Sequence, residues 1–377
     1  MPRSPIALLI ATPLLVGGDA LAEEQRTQLS LGGPAPSSAP KLTPLPPAPA
    51  GVPSPATLLG VITPENTTLK VFADYEQHRV FSPTALTIAE DNRIFIAETH
   101  RLRRELTDSR DNRYWVMDDL ASQSLEDRRK LHEKWQAEAS LDQLTEKSEL
   151  IRVLSDSDGD EHADATQIYA RGFDNVLDGS AAGILALEGT VYYSCLPTLW
   201  ALRDSDGDGE AEDHFELQTG FGTRVSLPSH GLNGLTLGPD GRIYGTVGDR
   251  SLNLTTEEGT NYQFLNQGAA FRFDLDGSNF EVFHTGLRNP KEIAFNHLGD
   301  AFTVDSHAGM GDQARVVYLV DGADSGWRTD HQVLHTFHKE IGLEQRPPNP
   351  WMSERIWETA NEEQPAWVLP PLSLIHI

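Results

Sequence analysis

A histidine and an aspartate flank a hairpin pattern in the stretch "SHGLNGLTLGPDGRIYGTVGDR", residues 229–250. The central "GLTLGPDGRIYGT" predicts a strand, an Asp-Gly turn and a second strand. His230 stands just before the first strand, and Asp249 stands at the end of the second. A histidine that a carboxylate orients can remove a proton from an alcohol as a general base. The alternative is a histidine whose hydrogen bonds are only structural.

An arginine and an asparagine precede a proline in "HTGLRNPKEIAF", residues 284–295. Proline fixes its own φ and restricts the residue before it, so we expect a defined turn at Arg288 and Asn289. A fixed guanidinium and amide suit an anionic or quinone-like ligand that is rich in oxygen. A surface ion pair is the alternative role for Arg288.

The next turn, "DSHAGMGD" at residues 305–312, combines acidic residues, a histidine and glycines. Asp305, His307, Gly309 and Asp312 follow one another closely there. Because glycine has no side chain, backbone carbonyls in such a turn can approach a cation or a cofactor.

Two Asp-rich segments resemble calcium loops, "SDSDGDEHAD" at 155–164 and "DSDGDGEAED" at 204–213. The candidate ligands are Asp156, Asp158, Asp160, Asp204, Asp206 and Asp208. Carboxylates at every second residue around a glycine supply the oxygen ligands that a hard cation needs. Neither segment has a glutamate at the twelfth position, so neither predicts an ordinary EF-hand. The alternative is a pair of polar turns between strands.

Four short β-like segments share one pattern, an apolar run, a polar turn and a second apolar run. They are "RIFIAE" at 93–98, "TVYYSC" at 190–195, "RIYGTVGD" at 242–249 and "AFTVDS" at 301–306, each with its preceding run. The last three recur at about the length of a propeller blade, which predicts an all-β propeller. The first gap is longer because a charged, helix-forming stretch at about 118–150 is inserted. We expect this insertion to pack on the surface, with a lid over a site as the alternative.

The N-terminal region predicts export. Residues 1–22 combine an arginine, an apolar run and "ALA" before acidic residues, which is typical of a cleavable signal peptide. An uncleaved membrane anchor is the alternative, but the apolar run is too short to span a bilayer. Residues 23–61 form a linker rich in Pro, Ala and Ser, and the folded domain is expected at 62–377.

Composition excludes several classes of function. The net charge of −26 disfavours binding to nucleic acid or to anionic membranes. The single cysteine, Cys195, excludes an internal disulfide and a haem attached through C-x-x-C-H, and we expect it to be a buried strand residue. After the signal, no apolar run is long enough to span a membrane.

Three stretches together resemble a known family. "SHGLNGLTLGPDGRIYGTVGDR", "FRFDLDGSNFEVFHTGLRNPKEIAF" and "VVYLVDGADSGW" are similar, in order and spacing, to the soluble quinoprotein glucose and sorbosone dehydrogenases. That group consists of six-bladed β-propellers that bind pyrroloquinoline quinone (PQQ) and calcium. The opening and Asp-rich stretches resemble one branch of it, the membrane-bound dehydrogenase proteins of planctomycete and verrucomicrobial type. The resemblance covers about residues 62–370.

The resemblance implies a role for each candidate. His230 matches the base that takes the substrate's hydroxyl proton, and Asp249 matches the aspartate that orients it. Arg288 and Asn289 match residues beside the quinone, while Gly309 and Met310 fall where backbone carbonyls hold the cofactor's calcium. A glutamine of the family has no counterpart at Ser180 or Ala181, and ligands from later blades have no match before residue 377. The ring is therefore expected to be incomplete at its C-terminal end.

Three functions remain open at this point. The first is an exported, PQQ- and calcium-dependent dehydrogenase that oxidises a sugar or another alcohol or aldehyde in the periplasm or outside the cell. Its electrons would pass to a cytochrome c-type acceptor. The second is a non-catalytic propeller that binds carbohydrate or protein, since a fold does not fix a function. The third is a calcium-dependent lactonase or other hydrolase, for which Asp249, Asn253 and Asp305 would have to converge on a central cation.

Overall fold

The computed structural model describes residues 70–102, 106–306 and 314–348 of the chain. Most of the regular structure in these ranges is β-strand. The expected signal and linker lie outside the described residues. Within the described ranges, no helix has the length and apolar character needed to cross a membrane.

Four sheets follow one another along the chain. The first contains β1 (Pro83–Ile88), β2 (Ile94–Glu98), β3 (Glu149–Ser155) and β4 (Ala165–Phe173). The second contains β5 (Ala181–Leu187), β6 (Thr190–Cys195), β7 (Thr198–Arg203) and β8 (Asp213–Thr219). The third contains β9 (Leu232–Leu237), β10 (Ile243–Val247), β13 (Gly268–Phe273) and β14 (Glu281–Leu287). Between β10 and β13 the chain forms a separate hairpin of β11 (Leu252–Thr255) and β12 (Asn261–Phe264). The fourth contains β15 (Pro290–Phe295), β16 (Ala301–Asp305) and β17 (Arg315–Tyr318), after which the short β18 (Ala323–Asp324) pairs with the edge of the third sheet.

The sheets are arranged as the blades of a propeller. Within each blade the main strands pair antiparallel in chain order, and the first strand of each blade lies beside the first strand of the next. The contact is close, since a Cβ on Gly183 of β5 would lie 2.3 Å from the carbonyl oxygen of Asn233 in β9. The predicted all-β propeller is therefore confirmed. The described residues form four blades, and the expected six stay a prediction.

The turn between the first two strands contains a left-handed residue in all four blades, although it is only two residues long in the second blade and five in the others. Asn92, Gly189, Gly241 and Gly299 each adopt a left-handed backbone, with φ between 66° and 86°. Asparagine and glycine tolerate this conformation better than other residues, so the repeated polar turn of the sequence forms a repeated tight turn.

The core consists of apolar layers between successive blades. Phe95 and Tyr169 of the first blade pack in one cluster with Tyr193 of the second. Tyr244 and Ile293 belong to the layer between the third and fourth blades. Cys195 is buried on β6 within the first layer, as the sequence suggested. These layers fix each blade relative to its neighbour, and with it the loops at the blade ends.

Helices occupy the connection between β2 and β3. After the short α1 (Tyr75–His78) near the start of the described chain, α2 (Val116–Ala121) and α3 (Leu125–Lys134) lie in this connection. Ser124 caps α3 by accepting a hydrogen bond from Asp127 N. The expected helical stretch at about 118–150 overlaps these helices, but its last residues, Glu149 and Leu150, belong to β3.

The helices of this connection are fastened to the propeller by a buried arginine. Arg128 of α3 donates hydrogen bonds to the carbonyl oxygens of Gly222 and Leu177, which belong to loops of the second blade. A last helix, α4 (Thr329–Thr336), packs against α2 through Val116, Val333 and Phe337. Helices α2 and α4 therefore share one apolar cluster, while α3 packs in a second cluster through Leu131.

Candidate functional site

The hairpin of β9 and β10 brings His230 and Asp249 together. Because the strands are antiparallel, Leu232 at the start of β9 pairs with Val247 at the end of β10. The residues that flank these ends therefore meet, and Nδ1 of His230 lies 2.7 Å from Oδ1 of Asp249. An Nδ1–H that donates to the carboxylate leaves the lone pair on Nε2, to which no described residue hydrogen-bonds.

Both carboxylate oxygens of Asp249 are used. Nε1 of Trp327 donates to Oδ2 at 2.8 Å, and the Thr329 hydroxyl donates to the backbone carbonyl of Asp249 at 3.3 Å. Burial by itself would raise the pKa of Asp249, but His230, Arg288 and Trp327 together hold it below its ordinary value. Asp249 is thus a carboxylate at neutral pH and fixes the orientation of the imidazole.

The imidazole of His230 is neutral at physiological pH. Burial lowers the pKa of His230 to about 4, and the positive charges of Arg288 and Lys291 act in the same direction. The attraction of Asp249 opposes these effects and only partly offsets them. A buried, neutral, oriented imidazole has the properties that a general base requires.

Arg288 and Asn289 lie in the loop between β14 and β15. This loop lies next to the histidine loop, the segment before β9 that carries His230. The carboxylate of Asp305, at the end of β16, accepts the backbone N–H of Arg288 at 3.1 Å and that of Asn289 at 2.7 Å. Arg315 Nη2 binds the same carboxylate at 2.8 Å. The carbonyl of Arg288 in turn accepts the N–H of Asp249 at 2.8 Å, so one continuous network links the loops of the third and fourth blades.

The Arg288 side chain points to helix α4. Its Nε and Nη2 donate to Oε1 of Gln332 at 3.2 and 2.9 Å, and the guanidinium lies 5.4 Å from the ring centre of Trp327. The sequence pattern contained no indication that Gln332 or Trp327 belongs to this site. Trp327 lies within "VVYLVDGADSGW", a segment that matched the family but received no role.

Lys291 is a further residue that sequence reasoning missed. Its Nζ lies 3.0 Å from Oδ1 of Asn289, 3.2 Å from Oδ1 of Asn233 and 3.2 Å from the carbonyl of Ser229. Burial lowers the pKa of Lys291 to about 8, against the attraction of Asp305. The available signal was its position directly after Pro290, on the first strand of a blade.

The described arrangement is closed. His230 is only 5% exposed and Asp249 only 1%, while Arg288 and Asn289 are also buried. Trp327, just before helix α4, and Thr329, its first residue, hydrogen-bond Asp249, and α2 packs against α4. Helix α4 and the residues that lead into it therefore lie over the candidate site.

Asp249, Asn253 and Asp305, which the sequence suggested for a hydrolytic cation site, each hydrogen-bond other groups of the protein. Asp249 binds His230 and Trp327, whereas Asp305 holds the backbone of the Arg288 loop. The amide of Asn253 donates to the carbonyl of Gln123 at 2.8 Å. Gly309 and Met310, expected to hold the cofactor's calcium, lie outside the described residues, as do His307 and Asp312.

The two Asp-rich segments form equivalent loops at the tips of two blades, between β3 and β4 and between β7 and β8. In the first, Asp156 accepts the N–H of Gly159 at 2.7 Å; in the second, Asp204 accepts the N–H of Gly207 at 2.6 Å. Each loop ends with a carboxylate, Asp164 or Glu212, that reaches back to the N–H and hydroxyl of an early serine.

Carboxylate oxygens converge in both loops. The groups whose oxygens all lie within 4.8 Å of one another are Asp156, Asp158 and Asp164 in the first loop, and Asp204, Asp206, Asp208 and Glu212 in the second. Asp160 does not belong to the first group, while Asp164 and Glu212 were not named from the sequence. Both lie at the ninth position counted from the first aspartate of their loop, where a search for a twelfth-position glutamate would pass over them.

A family model described as "Domain of unknown function (DUF7133)" matches residues 58–346. The chain belongs to this family. No curated protein matches the chain.

Solved structures similar to the chain include a protein of Thermus thermophilus assigned as an oxidoreductase (glucose dehydrogenase), with 17% identity and a TM-score of 0.40 over 66% of each chain. The PQQ-bound aldose sugar dehydrogenase of Streptomyces coelicolor has 13% identity and a TM-score of 0.39 over 66% of this chain and 62% of its own. The PQQ domain of pyranose dehydrogenase from Coprinopsis cinerea has 11% identity and a TM-score of 0.36, over 64% of this chain and 51% of its own. The chain thus matches less than two thirds of the length of these proteins.

We expect Trp327→Phe to destabilise the protein more than Trp135→Phe does. The first change leaves a buried oxygen of Asp249 without its donor and should lower the free energy of unfolding by about 1–3 kcal/mol. Trp135 Nε1 donates to Asp118 in the same way, at 2.7 Å, but that carboxylate also binds Lys134 and is partly exposed. Water can replace the lost donor there, so the control should lose less. Urea unfolding of both variants measures the difference, and equal losses would contradict the importance of the Asp249 bond.

Proposed function

We propose that this chain is an exported, PQQ- and calcium-dependent dehydrogenase that oxidises a sugar or another alcohol or aldehyde and passes electrons to a cytochrome c-type acceptor. The observation that carries the proposal is the buried His230–Asp249 pair, with Nε2 of the neutral imidazole left for a substrate. The motif resemblance supplies the reaction class, because a histidine of this kind can serve several chemistries.

The donors beside His230 suit an anionic, oxygen-rich cofactor. Arg288 supplies positive charge, and the amide of Asn289 adjoins it in the chain. The Asn289 oxygen lies within hydrogen-bond distance of Asn233 Nδ2 and Lys291 Nζ. When bound, PQQ would supply the acceptor for the substrate's hydride. Arg288 and Asn289 would bind it, and the carbonyls of Gly309 and Met310 are proposed to hold its calcium.

In this proposal the chain's own contribution to the chemistry is proton removal and orientation. His230 Nε2 accepts the hydroxyl proton, and the resulting imidazolium is stabilised by the carboxylate of Asp249. Trp327 keeps that carboxylate in place. Since His230 is nearly inaccessible, helix α4 or the adjoining loops must move to admit a substrate.

Reconstitution tests the proposal directly. The chain incubated with PQQ and calcium should reduce an artificial electron acceptor in the presence of a sugar or an alcohol. His230→Ala should lower the rate by about 10²–10⁴-fold, because a general base contributes that much, and Asp249→Asn should also lower it. His284→Gln is the matched control, since His284 is a buried histidine that bonds Val320 and Ser325 instead.

Two results would contradict the proposal. One is the absence of both PQQ binding and dye reduction across a panel of sugars and alcohols, which would favour a non-catalytic propeller. The other is full activity in His230→Ala.

The acid side of the pH–rate profile should reflect the protonation of His230. Because burial lowers the pKa of His230 to about 4, the base stays neutral well below its ordinary pKa. We expect kcat/KM for the reconstituted enzyme to hold as the pH falls from 7 to roughly 5 and to drop as it passes about 4. Circular dichroism at each pH separates this loss from unfolding. An acid limb near 6.5 would show a solvated histidine and contradict the closed site.

We also propose that the two Asp-rich loops bind calcium, because each brings three or more carboxylates within 4.8 Å. Calcium should then raise the melting temperature, since a ligand that binds only the folded state stabilises it. The combined variant Asp158→Asn/Asp206→Asn should lose most of this rise. Asp240→Asn, in a turn outside both carboxylate groups, should keep it. An unchanged melting temperature in calcium would mean that the loops are plain turns.

A further inference from the structure

We propose that Lys291 is a specificity-determining residue that selects a sugar bearing an anionic group, such as the carboxylate of a uronic acid. This rests on the proposed function, because the site in question is the one around His230.

Lys291 lies where the other described blades carry no charge. It is the second residue of β15, the first strand of its blade, and the register places Pro290 opposite Asp305 at the strand end. The same position is Thr84 in β1, Ala182 in β5 and Asn233 in β9. A cation at this position is therefore a feature of the fourth blade and not of the blade architecture.

The ammonium is held beside the histidine. Its contact with the carbonyl of Ser229 places it against the residue that precedes His230. The contacts with the amide oxygens of Asn233 and Asn289 fix it from two other sides. Its charge is close enough to lower the pKa of His230. A substrate whose hydroxyl reaches His230 Nε2 would thus lie near the ammonium.

The charge of Lys291 is not neutralised by a contacting carboxylate among the described residues, since its three partners are neutral oxygens. The carboxylate of Asp249 is hydrogen-bonded to His230 and Trp327. The carboxylate of Asp305 accepts backbone N–H groups and pairs with Arg315. The adjoining Glu292 makes no ion pair or hydrogen bond with Lys291 among the described residues.

A local excess of positive charge contrasts with the rest of the protein. The chain carries a net charge of −26, and its surface on the whole repels anions. Keeping a lysine partly buried costs free energy, and its pKa falls to about 8 as a result. Neutral sugars are bound well by amides and carboxylates, so they give no reason for a cation here. Arg288 supplies the positive charge proposed for the cofactor, and an anionic group on the sugar is the partner that Lys291 fits.

Equilibrium binding to the full chain tests the inference. Calorimetric titrations with glucuronate, glucose 6-sulfate and glucose, each with and without PQQ and calcium, give the preference for an anionic sugar without requiring turnover. We expect at least one of the two anions to bind about tenfold or more tightly than glucose, with a preference that decreases as salt is added. The two anions separate a carboxylate site from a site for sulfate esters.

Variants then locate the preference. Lys291→Gln should remove most of it, Lys291→Arg should keep it because the charge is kept, and Lys130→Gln should leave it unchanged. Lys130 pairs with Glu126 on the exposed face of α3 and is the matched control. Thermal unfolding of each variant shows whether it is folded.

Three results would overturn the inference. They are equal binding of the charged and neutral sugars, an equal effect of Lys291→Gln on both, and loss of PQQ binding in Lys291→Gln with the sugar preference intact. The last would assign the lysine to the cofactor. Dye reduction with neutral sugars and no anion preference would leave the proposed function standing, whereas anion preference without dye reduction would leave the inference standing.

Discussion

The carboxylate of Asp249 lies between His230 and Trp327, and both of its oxygens are hydrogen-bonded. A buried charge is tolerated only when it is paired and fully bonded, so this group requires all of its partners at once. The histidine loop of the third blade supplies one partner, and the segment that leads into helix α4 supplies the other. The Thr329 hydroxyl and the N–H that Asp249 donates to Arg288 extend the same requirement to α4 and the fourth blade.

A second buried carboxylate extends this arrangement. Asp305 accepts the N–H groups of Arg288 and Asn289 and pairs with Arg315. The carboxylate of Asp305 therefore fixes the backbone of the loop that carries Arg288. In the described structure both aspartates position other residues, Asp249 the imidazole of His230 and Asp305 the backbone of the arginine loop.

The positive charges of the site and the position of helix α4 determine which ligands can enter. Arg288 and Lys291 carry positive charge within a very acidic protein. The guanidinium of Arg288 donates to Gln332 of α4 and lies over the ring of Trp327. A ligand that takes Arg288 must compete with Gln332. Binding and the position of α4 are therefore coupled, because one guanidinium cannot make both sets of contacts at full strength.

The repeated hairpins and the pairing of His230 with Asp249 could be predicted from the sequence. Both follow from local rules: strand periodicity, a turn residue that accepts positive φ, and the meeting of the two ends of one hairpin. The sequence also predicted the two Asp-rich loops but not all of their candidate ligands. Asp164 and Glu212, near the end of each loop, accept the N–H of a serine near its start. The contacts of Trp327 with Asp249, of Gln332 with Arg288 and of Lys291 with Ser229 arise only in the folded protein. These partners are distant in sequence and meet through blade packing and helix docking, for which no periodic or spacing signal exists in one chain.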